Sequence, residues 1–385
     1  MLIEIHTLKN YPATNLNRDD TGAPKTCIFG GTTRGRISSQ CLKRSWRTSD
    51  IFRNALGEEN LGYRTRKLPS IVVEELVNNR GIDAEFAEII KPSIATIAKK
   101  DEKASGEKKK DKDDFSLTPQ IVFYSKDDID IICDMFEQIL KECKSIEDVK
   151  KAVKGKDIKN KFKDVKTRPV TVDIALFGRM VTSDAFRNVD ASVQVAHAIS
   201  TNKVVLESDF YTAMDDLLSG ESMKESGSGM MGDVDFNSSC YYSYVSLDTD
   251  ELLANLSYCN EAEKLMKNTV LALIEAIAFT NPSGKQNSFA GNILPSAIMI
   301  ECKEKKIPVS YVNAYSEAIY SKNIVEDSIN KLVEECNMNE KDFGIPVKKR
   351  IWFTVDKYKN TGKLNNATMC SSFPELMSEL KKVLE

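Results

Sequence analysis

The chain has 385 residues, of which 41% are hydrophobic, so it is long and apolar enough to bury a substantial core. A wholly disordered protein is therefore excluded. Its 54 lysine and arginine residues are outnumbered by 57 aspartate and glutamate residues, which gives a formal net charge of −3. This total excludes a uniformly basic nucleic-acid-binding protein, so any such site must come from local charge.

The nine cysteines are odd in number, and none of them forms a C-x-x-C pair. This usage argues against a disulfide framework or a zinc site and favours a reducing compartment. The N-terminus has no basic segment followed by an apolar run, and the longest apolar stretch, near 270–279, is interrupted by Glu275. We expect a soluble, cytoplasmic protein without a metal, a cofactor or a membrane partner.

Hydrophobic periodicity and capping residues predict the elements of the chain. In chain order they are a strand at 3–7, a polar loop at 10–31, a helix at 40–56 capped by Ser38 or Ser39, a helical stretch at 68–98, a helix at 127–153, a strand at 170–172, a strand at 241–247, a helix at 261–279, a strand at 296–302, a mostly helical stretch at 314–335 and a closing helix at 375–384. Strands and helices mix without a repeated strand–helix rhythm. This order predicts the α+β class.

Two lysine-rich segments interrupt the pattern. Residues 99–114 hold seven lysines against six acidic residues, which is typical of a disordered, solvated loop. Residues 141–168 hold eleven basic and five acidic residues. The second segment is therefore a local excess of positive charge inside a slightly acidic chain.

A third basic region, residues 25–67, holds ten basic residues and three acidic ones. Helical geometry places Leu42 and Trp46 on one side of the predicted helix, together with the apolar residues that follow them. The nearly opposite side presents an amide and three cations, which are Gln40, Lys43, Arg44 and Arg47. Such a face suits a phosphate backbone, and Arg18 and Lys25 on the preceding loop would extend it. On spacing alone, an ordinary solvated face is the alternative.

Other chemistry-bearing residues favour structural roles. The acidic pairs Asp19-Asp20 and Asp215-Asp216 suggest a metal-dependent nuclease, but neighbouring side chains diverge, so turn formation is the better interpretation. His6 and His197, the two histidines, are expected to be packed and hydrogen-bonded rather than catalytic.

The tyrosines at 241, 242 and 244 could stack on bases, although alternating aromatic residues in a strand more often belong to the core. Neither Gly30-Gly31 nor the glycine-rich 227–232 segment has the lysine that a nucleotide-binding loop requires.

Several short segments along the chain resemble the CasC family, the backbone subunits of the type I-E CRISPR surveillance complex Cascade. The segments that carry the resemblance are Leu16–Asp20 (LNRDD), Phe29–Gly31 (FGG), Arg34–Arg44 (RGRISSQCLKR), Asp173–Met180 (DIALFGRM), Val195–Ile199 (VAHAI), Phe210–Asp216 (FYTAMDD) and Met231–Tyr244. They follow the family's order and cover most of residues 1–247. Residues 60–165 and 255–385 show only general likeness, and the 221–229 segment is longer than the family's pattern.

The resemblance implies a hand-like fold of the α+β class. Its palm would be a modified RNA-recognition-motif (ferredoxin-like) sheet, carrying a helical fingers insertion and a β-hairpin thumb. The implied bounds are 1–60 for the first part of the palm, 61–180 for the fingers with a disordered loop at 99–114, 181–202 for the return to the palm, 203–240 for the thumb and 241–385 for the second part of the palm.

The resemblance also implies a function in antiviral defence without catalysis. Copies of the chain would line up along a CRISPR guide RNA (crRNA), kink it at regular intervals and present it for pairing with target DNA. The implied partners are the guide RNA, target DNA, copies of the chain itself and other Cascade subunits. A metal-dependent RNA endonuclease of a related CRISPR effector is the alternative.

The site residues fall into three groups. Arg18, Ser38, Gln40, Lys43 and Arg47 would hold the RNA backbone by resemblance, and the basic face adds Lys25 and Arg44. Met180, Thr212 and Met231 would wedge beside the displaced nucleotide, because an unstacked base favours an apolar or small neighbour. The residues that would face target DNA are the lysines of the fingers, Lys150, Lys151, Lys154, Lys156 and Lys159.

Overall fold

The computed structural model describes residues 1–97, 116–153, 170–181, 186–213 and 230–385. The chain divides into two compact units. Met1–Phe52, Val193–Asp248 and Val270–Glu385 form the first unit, and Arg53–Ser192 with Thr249–Thr269 forms the second. Residues 249–269 thus belong to the second unit, whereas the sequence analysis assigns 241–385 to the palm. The predicted division into palm, fingers and thumb stays a prediction.

Twelve strands lie in the described part of the chain. They are β1 (Leu2–Thr14), β2 (Thr26–Phe29), β3 (Thr32–Ile37), β4 (Tyr63–Thr65), β5 (Val122–Tyr124), β6 (Val193–Val195), β7 (Ala198–Ser200), β8 (Glu207–Ala213), β9 (Met230–Asp248), β10 (Ala297–Lys303), β11 (Lys349–Thr354) and β12 (Ala367–Cys370). Ten of them form the sheet of the first unit in the order β12-β11-β10-β1-β9-β7-β3-β2, while β6 and β8 pair with β9. The pairing is antiparallel except between β11 and β12.

The described α-helices accompany these strands. They are α1 (Ser39–Arg47), α2 (Asp50–Leu56), α3 (Leu68–Asn78), α4 (Ala84–Ile89), α5 (Lys91–Ile97), α6 (Lys126–Glu142), α7 (Ile146–Ala152), α8 (Val172–Phe177), α9 (Thr249–Asn255), α10 (Ala262–Phe279), α11 (Gln286–Phe289), α12 (Ile324–Phe343) and α13 (Phe373–Leu384). The α+β prediction is confirmed. Within the described residues, none of the helices is both long enough and apolar enough to cross a membrane.

The first strand is buried on both faces, not half-buried as its alternation predicts. One face of β1 carries Glu4, His6 and Leu8, and it packs against a core that includes residues of α12 and β11. Glu4 lies opposite Glu301 of β10, which lies in turn opposite Arg350 of β11. Buried carboxylates at these positions require buried cations beside them.

Ion pairs within the sheet neutralise this buried charge. The Arg350 Nε donates to the Glu301 Oε1 at 2.7 Å, and the Lys303 Nζ lies 3.1 Å from the Glu301 Oε2 and also contacts Glu4. Burial lowers the pKa of His6 to about 3, and its Nδ1 lies 2.8 Å from the Tyr242 hydroxyl. This histidine is therefore packed, hydrogen-bonded and neutral, which confirms the prediction made for it.

The second unit is organised around α3 to α7. Its apolar core gathers side chains from these helices, including Leu76, Ile90 and Phe136. The predicted helical stretch at 68–98 is three helices, and the predicted helix at 127–153 is two. The buried side chains of Arg179 and Asp128 form an ion pair at 2.5 Å beside this core, so each buried charge has a partner.

Three sequence predictions fail for local reasons, and a fourth holds in part. The strand predicted at 170–172 is wrong, because α8 begins at Val172 and the Asp173 carboxylate accepts from the Thr171 hydroxyl at 2.7 Å. The helix predicted at 40–56 ends at Arg47, where the Thr48 hydroxyl donates to the Arg44 carbonyl, and it restarts at Asp50. The predicted loop at 10–31 contains β2 and the last residues of β1. The stretch at 314–335 is a short 3₁₀ turn followed by α12, which extends to Phe343.

Candidate nucleic-acid interface

A closed loop precedes β2 and fixes the position of Arg18 and Lys25. The Lys25 N–H donates to the Asn17 carbonyl at 2.8 Å, and Asp19 N–H donates to the Ala23 carbonyl at 2.9 Å. The Asn17 side chain also accepts from the Ser38 N–H at 2.9 Å, which ties this loop to the start of α1. Arg18 is exposed and Lys25 is half-buried. The loop and the start of the helix therefore lie side by side on one surface.

Helix α1 begins as the sequence predicts. Ser38 is its N-cap, and the Ser38 hydroxyl accepts from the Cys41 N–H at 3.3 Å. Ser38 itself is buried, so its hydroxyl serves the helix and its predicted contact with RNA stays a prediction. Leu42 and Trp46 are buried as predicted, Gln40 and Arg44 are exposed, and the remaining predicted cations, Lys43 and Arg47, are half-buried.

Four cations lie close enough together to influence the pKa values of the same neighbouring side chains, His197 and Cys41. Arg36, Lys25 and Lys43 each lower the pKa of His197, after the larger effect of burial. Burial raises the pKa of the Cys41 thiol, while Lys25 and Arg44 oppose that rise. We call Lys25, Arg36, Lys43 and Arg44 the basic patch. None of the four forms an ion pair with a carboxylate among the residues that the structure describes.

Arg36 and His197 also belong to this surface, although neither was predicted as a site residue. The Arg36 Nη1 lies 3.1 Å from the His197 Nδ1, and the Arg36 Nε donates to the Thr26 carbonyl at 3.2 Å. His197 is exposed, so the prediction that it is packed is wrong, although its hydrogen bond is present. Its place in the VAHAI segment was the only signal available.

Another cation of the basic region has a structural role. Arg34 is fully buried, and its guanidinium donates to the backbone carbonyls of Ser200 at 2.9 Å and of Tyr315 at 2.8 Å. It therefore joins β3 to β7 and to the turn at Tyr311–Tyr315. Local charge counting overestimates the basic surface because it includes this residue.

The predicted thumb corresponds to a hairpin of β8 and the first part of β9. All seven residues of β8 are exposed, and Thr212 lies directly opposite Met231. Met231 is 66% exposed and Phe210 is 65% exposed, while Tyr211 and Met230 are also exposed. Cross-strand neighbours share a face, so the two predicted wedge residues of this hairpin are adjacent. The predicted hairpin bounds of 203–240 remain untested.

The other predicted contacts lie in the second unit. Met180 is 93% exposed. Lys150 and Lys151 are exposed in the last turn of α7. The other predicted DNA contacts (Lys154, Lys156 and Lys159) fall outside the described residues, as do the whole 99–114 loop and the Asp215-Asp216 pair.

The acidic and aromatic candidates are structural. The Asp19 carboxylate accepts from the N–H groups of Thr21 and Ala23 at 2.9 and 3.0 Å, so this residue orders its own turn as expected. The tyrosines at 241, 242 and 244 are buried, which confirms the core interpretation. Across the described ranges, no group of three or more His, Cys, Asp or Glu side chains is arranged to hold a metal ion.

Comparisons with known proteins place the chain in a family and identify solved chains of similar fold. Residues 3–379 match the family described as CT1975-like protein (Cas_CT1975). A solved chain of a "CRISPR RNA-guided surveillance complex, pre-nicking" is similar at 27% identity, with a TM-score of 0.80 and both chains covered in full. A chain of a second "CRISPR RNA-guided surveillance complex" has 22% identity and a TM-score of 0.61, again with full coverage of both, and it shows likeness of fold. No curated protein matches the sequence.

Proposed function

This chain belongs to the CT1975-like protein family, and from that premise we propose that it is an RNA-binding backbone subunit of a CRISPR surveillance complex. The similarity over full length to chains of RNA-guided surveillance complexes supports this assignment. We propose the type I-E complex, Cascade, on the motifs that resemble CasC. The large sheet of the first unit would be its RNA-recognition-motif-like palm, and antiviral defence in the cytoplasm would be its setting.

The basic patch is the observation that carries the proposal. Its four cations lack carboxylate partners among the described side chains, whereas the buried Arg179 and Arg350 are each paired with a carboxylate. Closely spaced cations without counter-charges repel one another, and a phosphate backbone relieves that repulsion. Arg18, Gln40 and Arg47 lie on the same loop and helix and would extend the contact.

The hairpin of β8 and β9 suits a contact other than binding to the phosphate backbone of RNA. Its described part carries acidic side chains at Glu207, Asp209, Asp233 and Asp235, which disfavour phosphate. Its exposed apolar residues on both faces favour an unstacked base or a protein surface. An isolated two-stranded hairpin is marginally stable in water, so a partner that covers it would stabilise it. We propose that the partner is another copy of this chain on the same RNA, with Thr212 and Met231 beside a displaced nucleotide.

The remaining partners follow from the same assignment. Lys150 and Lys151 on α7 would face target DNA, and Met180 would contact the guide RNA. Other subunits of the complex would complete the particle. We propose that the chain binds and presents RNA without cutting it.

Reversal of charge in the patch tests this proposal. The chain is co-expressed with a CRISPR RNA and its operon partners as wild type, as Lys43→Glu with Arg44→Glu, and as a control with Lys305→Glu and Lys363→Glu, two exposed lysines outside the patch. We expect the wild type and the control to retain RNA and form a large particle. The patch variant should lose RNA while keeping its circular dichroism spectrum, because neither side chain belongs to the core.

Two outcomes would contradict the proposal. One is an RNA-containing particle of normal size from the patch variant. The other is Mg²⁺-dependent degradation of added RNA by the purified wild-type chain, which would favour the endonuclease alternative.

A further inference from the structure

The contact between Arg36 and His197 joins two groups that repel each other when both are charged. Arginine only donates hydrogen bonds, so at 3.1 Å the His197 Nδ1 must accept from the Arg36 Nη1. The imidazole in this arrangement is neutral, with its proton on Nε2. In the free protein, His197 therefore occupies one N–H of the Arg36 guanidinium, and that N–H is not available to a ligand.

The surroundings of His197 keep it neutral. Arg36 contacts it from β3, while Lys43 of α1 and Lys25 of the loop before β2 act on it electrostatically. Partial burial of the ring lowers its pKa, and all three charges lower it further. The adjacent residues of its own segment, Ala196 and Ala198, are uncharged. Because His197 is exposed, a ligand can nevertheless reach it.

A bound phosphate would reverse this balance. Its negative charge offsets the three cations and favours protonation of the imidazole. A proton taken from solvent at Nδ1 breaks the Arg36 contact, and it leaves two N–H donors, one on each side chain, free to bind phosphate oxygens.

We propose that His197 is a proton-coupled RNA contact, which takes up a proton as the RNA backbone binds and releases Arg36 to the same phosphate. This inference rests on the proposed RNA-binding function and adds pH as a control of affinity. Linkage gives the direction of the pH effect. The RNA-bound protein keeps the His197 proton to a higher pH than the free protein does, so affinity for RNA rises as pH falls between the two pKa values. Each pKa unit of difference corresponds to about a tenfold change in affinity.

Binding of oligouridylate to the full-length chain tests the linkage. Uracil does not titrate near neutrality, and tetramethylrhodamine gives a pH-insensitive anisotropy signal. At constant ionic strength, wild-type affinity should rise about threefold to tenfold between about pH 7.5 and about pH 5.5. For His197→Gln, affinity should not change over this range. For His197→Lys, which is permanently charged, affinity should be independent of pH and should match the wild type at low pH.

Nuclear magnetic resonance of the wild type provides a readout that needs no variant. The chain has only two histidines, so ¹³C-histidine labelling gives two ring signals, and buried His6 stays neutral over this range because burial lowers its pKa to about 3. The second signal should titrate below the ordinary midpoint of about 6.5 in the free protein and at higher pH with RNA.

The outcomes separate the two proposals. RNA binding with an unchanged His197 midpoint and no pH dependence would overturn the proton-coupled contact and leave the proposed function intact. No binding of RNA at any pH would overturn both.

Discussion

Lys9 of β1 is a buried lysine without a counter-charge among the described side chains. Its Nζ donates to the Thr280 carbonyl at 3.1 Å and lies 3.4 Å from the Asn281 Oδ1. Burial lowers its pKa to about 7. The side chain borders a cavity of about 20 Å³ that Leu42 and Trp46 of α1 also line. A buried ammonium paired only with carbonyl oxygens costs stability that an apolar side chain of similar length would not.

We expect Lys9→Met to raise the free energy of unfolding by about 1–3 kcal/mol at neutral pH. The unfolded chain keeps the Lys9 proton up to about pH 10.4, whereas the folded chain releases it near pH 7. Wild-type stability therefore falls as pH falls from alkaline to neutral, and falls no further below the folded pKa. The gap between variant and wild type should widen over that interval and then stay constant. Denaturant unfolding across this pH range measures it.

The exposed Lys305→Met serves as the control for Lys9→Met and should leave stability unchanged at every pH. Two results would show that the buried ammonium does not destabilise the folded chain. One is a Lys9→Met variant no more stable than wild type at neutral pH, and the other is a stability difference between them that grows as pH rises.

The two histidines show how far sequence reasoning reaches at the residue scale. His6 lies in the first predicted strand and His197 lies among small apolar residues, and the packed interpretation holds for His6. It fails for His197, because its environment comes from Arg36, Lys25 and Lys43, which lie more than 150 positions earlier in the chain. The fold decides which charged residues surround His197, and its own segment of the sequence does not reveal them.

At the scale of elements, the β2–β3 hairpin is the largest omission of the sequence analysis. Gly30 and Gly31 have φ angles of +58° and +75°, as a two-residue type I′ turn requires. Both strands are short: β2 lies inside the predicted polar loop at 10–31, and no element was predicted at 32–37, where β3 lies. The glycine pair between β-branched and aromatic residues was the signal for a hairpin. By contrast, the N-cap Ser38 and the apolar side of α1 depend on local rules and were predicted correctly.

The two turn glycines differ in what surrounds them. A Cβ at Gly30 would lie 1.5 Å from the Ser316 carbonyl oxygen, whereas a Cβ at Gly31 would meet nothing within 4 Å. Both alanine variants incur about 1–2 kcal/mol for the left-handed backbone. Gly30→Ala should lose at least about 2 kcal/mol more, because backbone must move to relieve the clash. Denaturant unfolding of both variants compares them, with Gly31→Ala as the matched control.

The Gly30→Ala variant should also weaken RNA binding, because the hairpin carries Arg36 on β3. Equal losses of stability in Gly30→Ala and Gly31→Ala would mean that the close approach to Ser316 is not rigid.

For the whole molecule, the class of the fold was predictable and the strand order was not. β1 lies between β9 and β10, so Ile5 pairs with Val245 and with Ile300, which are far apart in the chain. Local periodicity identifies such strands but does not order them. The short motifs predicted the function class that we propose for the chain, and the assembly of many copies is part of that proposal.

In the proposed assembly, the hairpin of β8 and β9 is the element that would join neighbouring copies. With residues 207–232 replaced by a short Gly-Ser linker, the buried part of β9 from Asn237 onward is retained, so the sheet should fold. We expect this variant to bind a short RNA as one chain, and to lose the cooperative addition of further chains on a longer RNA, since the apolar surface that would join them is gone. Mass photometry on RNAs of increasing length measures the number of chains bound.

Point variants separate loss of the apolar surface from loss of the whole hairpin. Phe210→Asp removes an exposed apolar side chain, and Ser208→Asp adds the same charge two positions earlier on the same strand face. Phe210→Asp should reduce cooperative assembly, whereas Ser208→Asp should not, because the proposed contact is apolar. Assembly that proceeds normally with the hairpin deleted would remove it from the proposed interface and would leave the basic patch as the sole determinant of RNA binding.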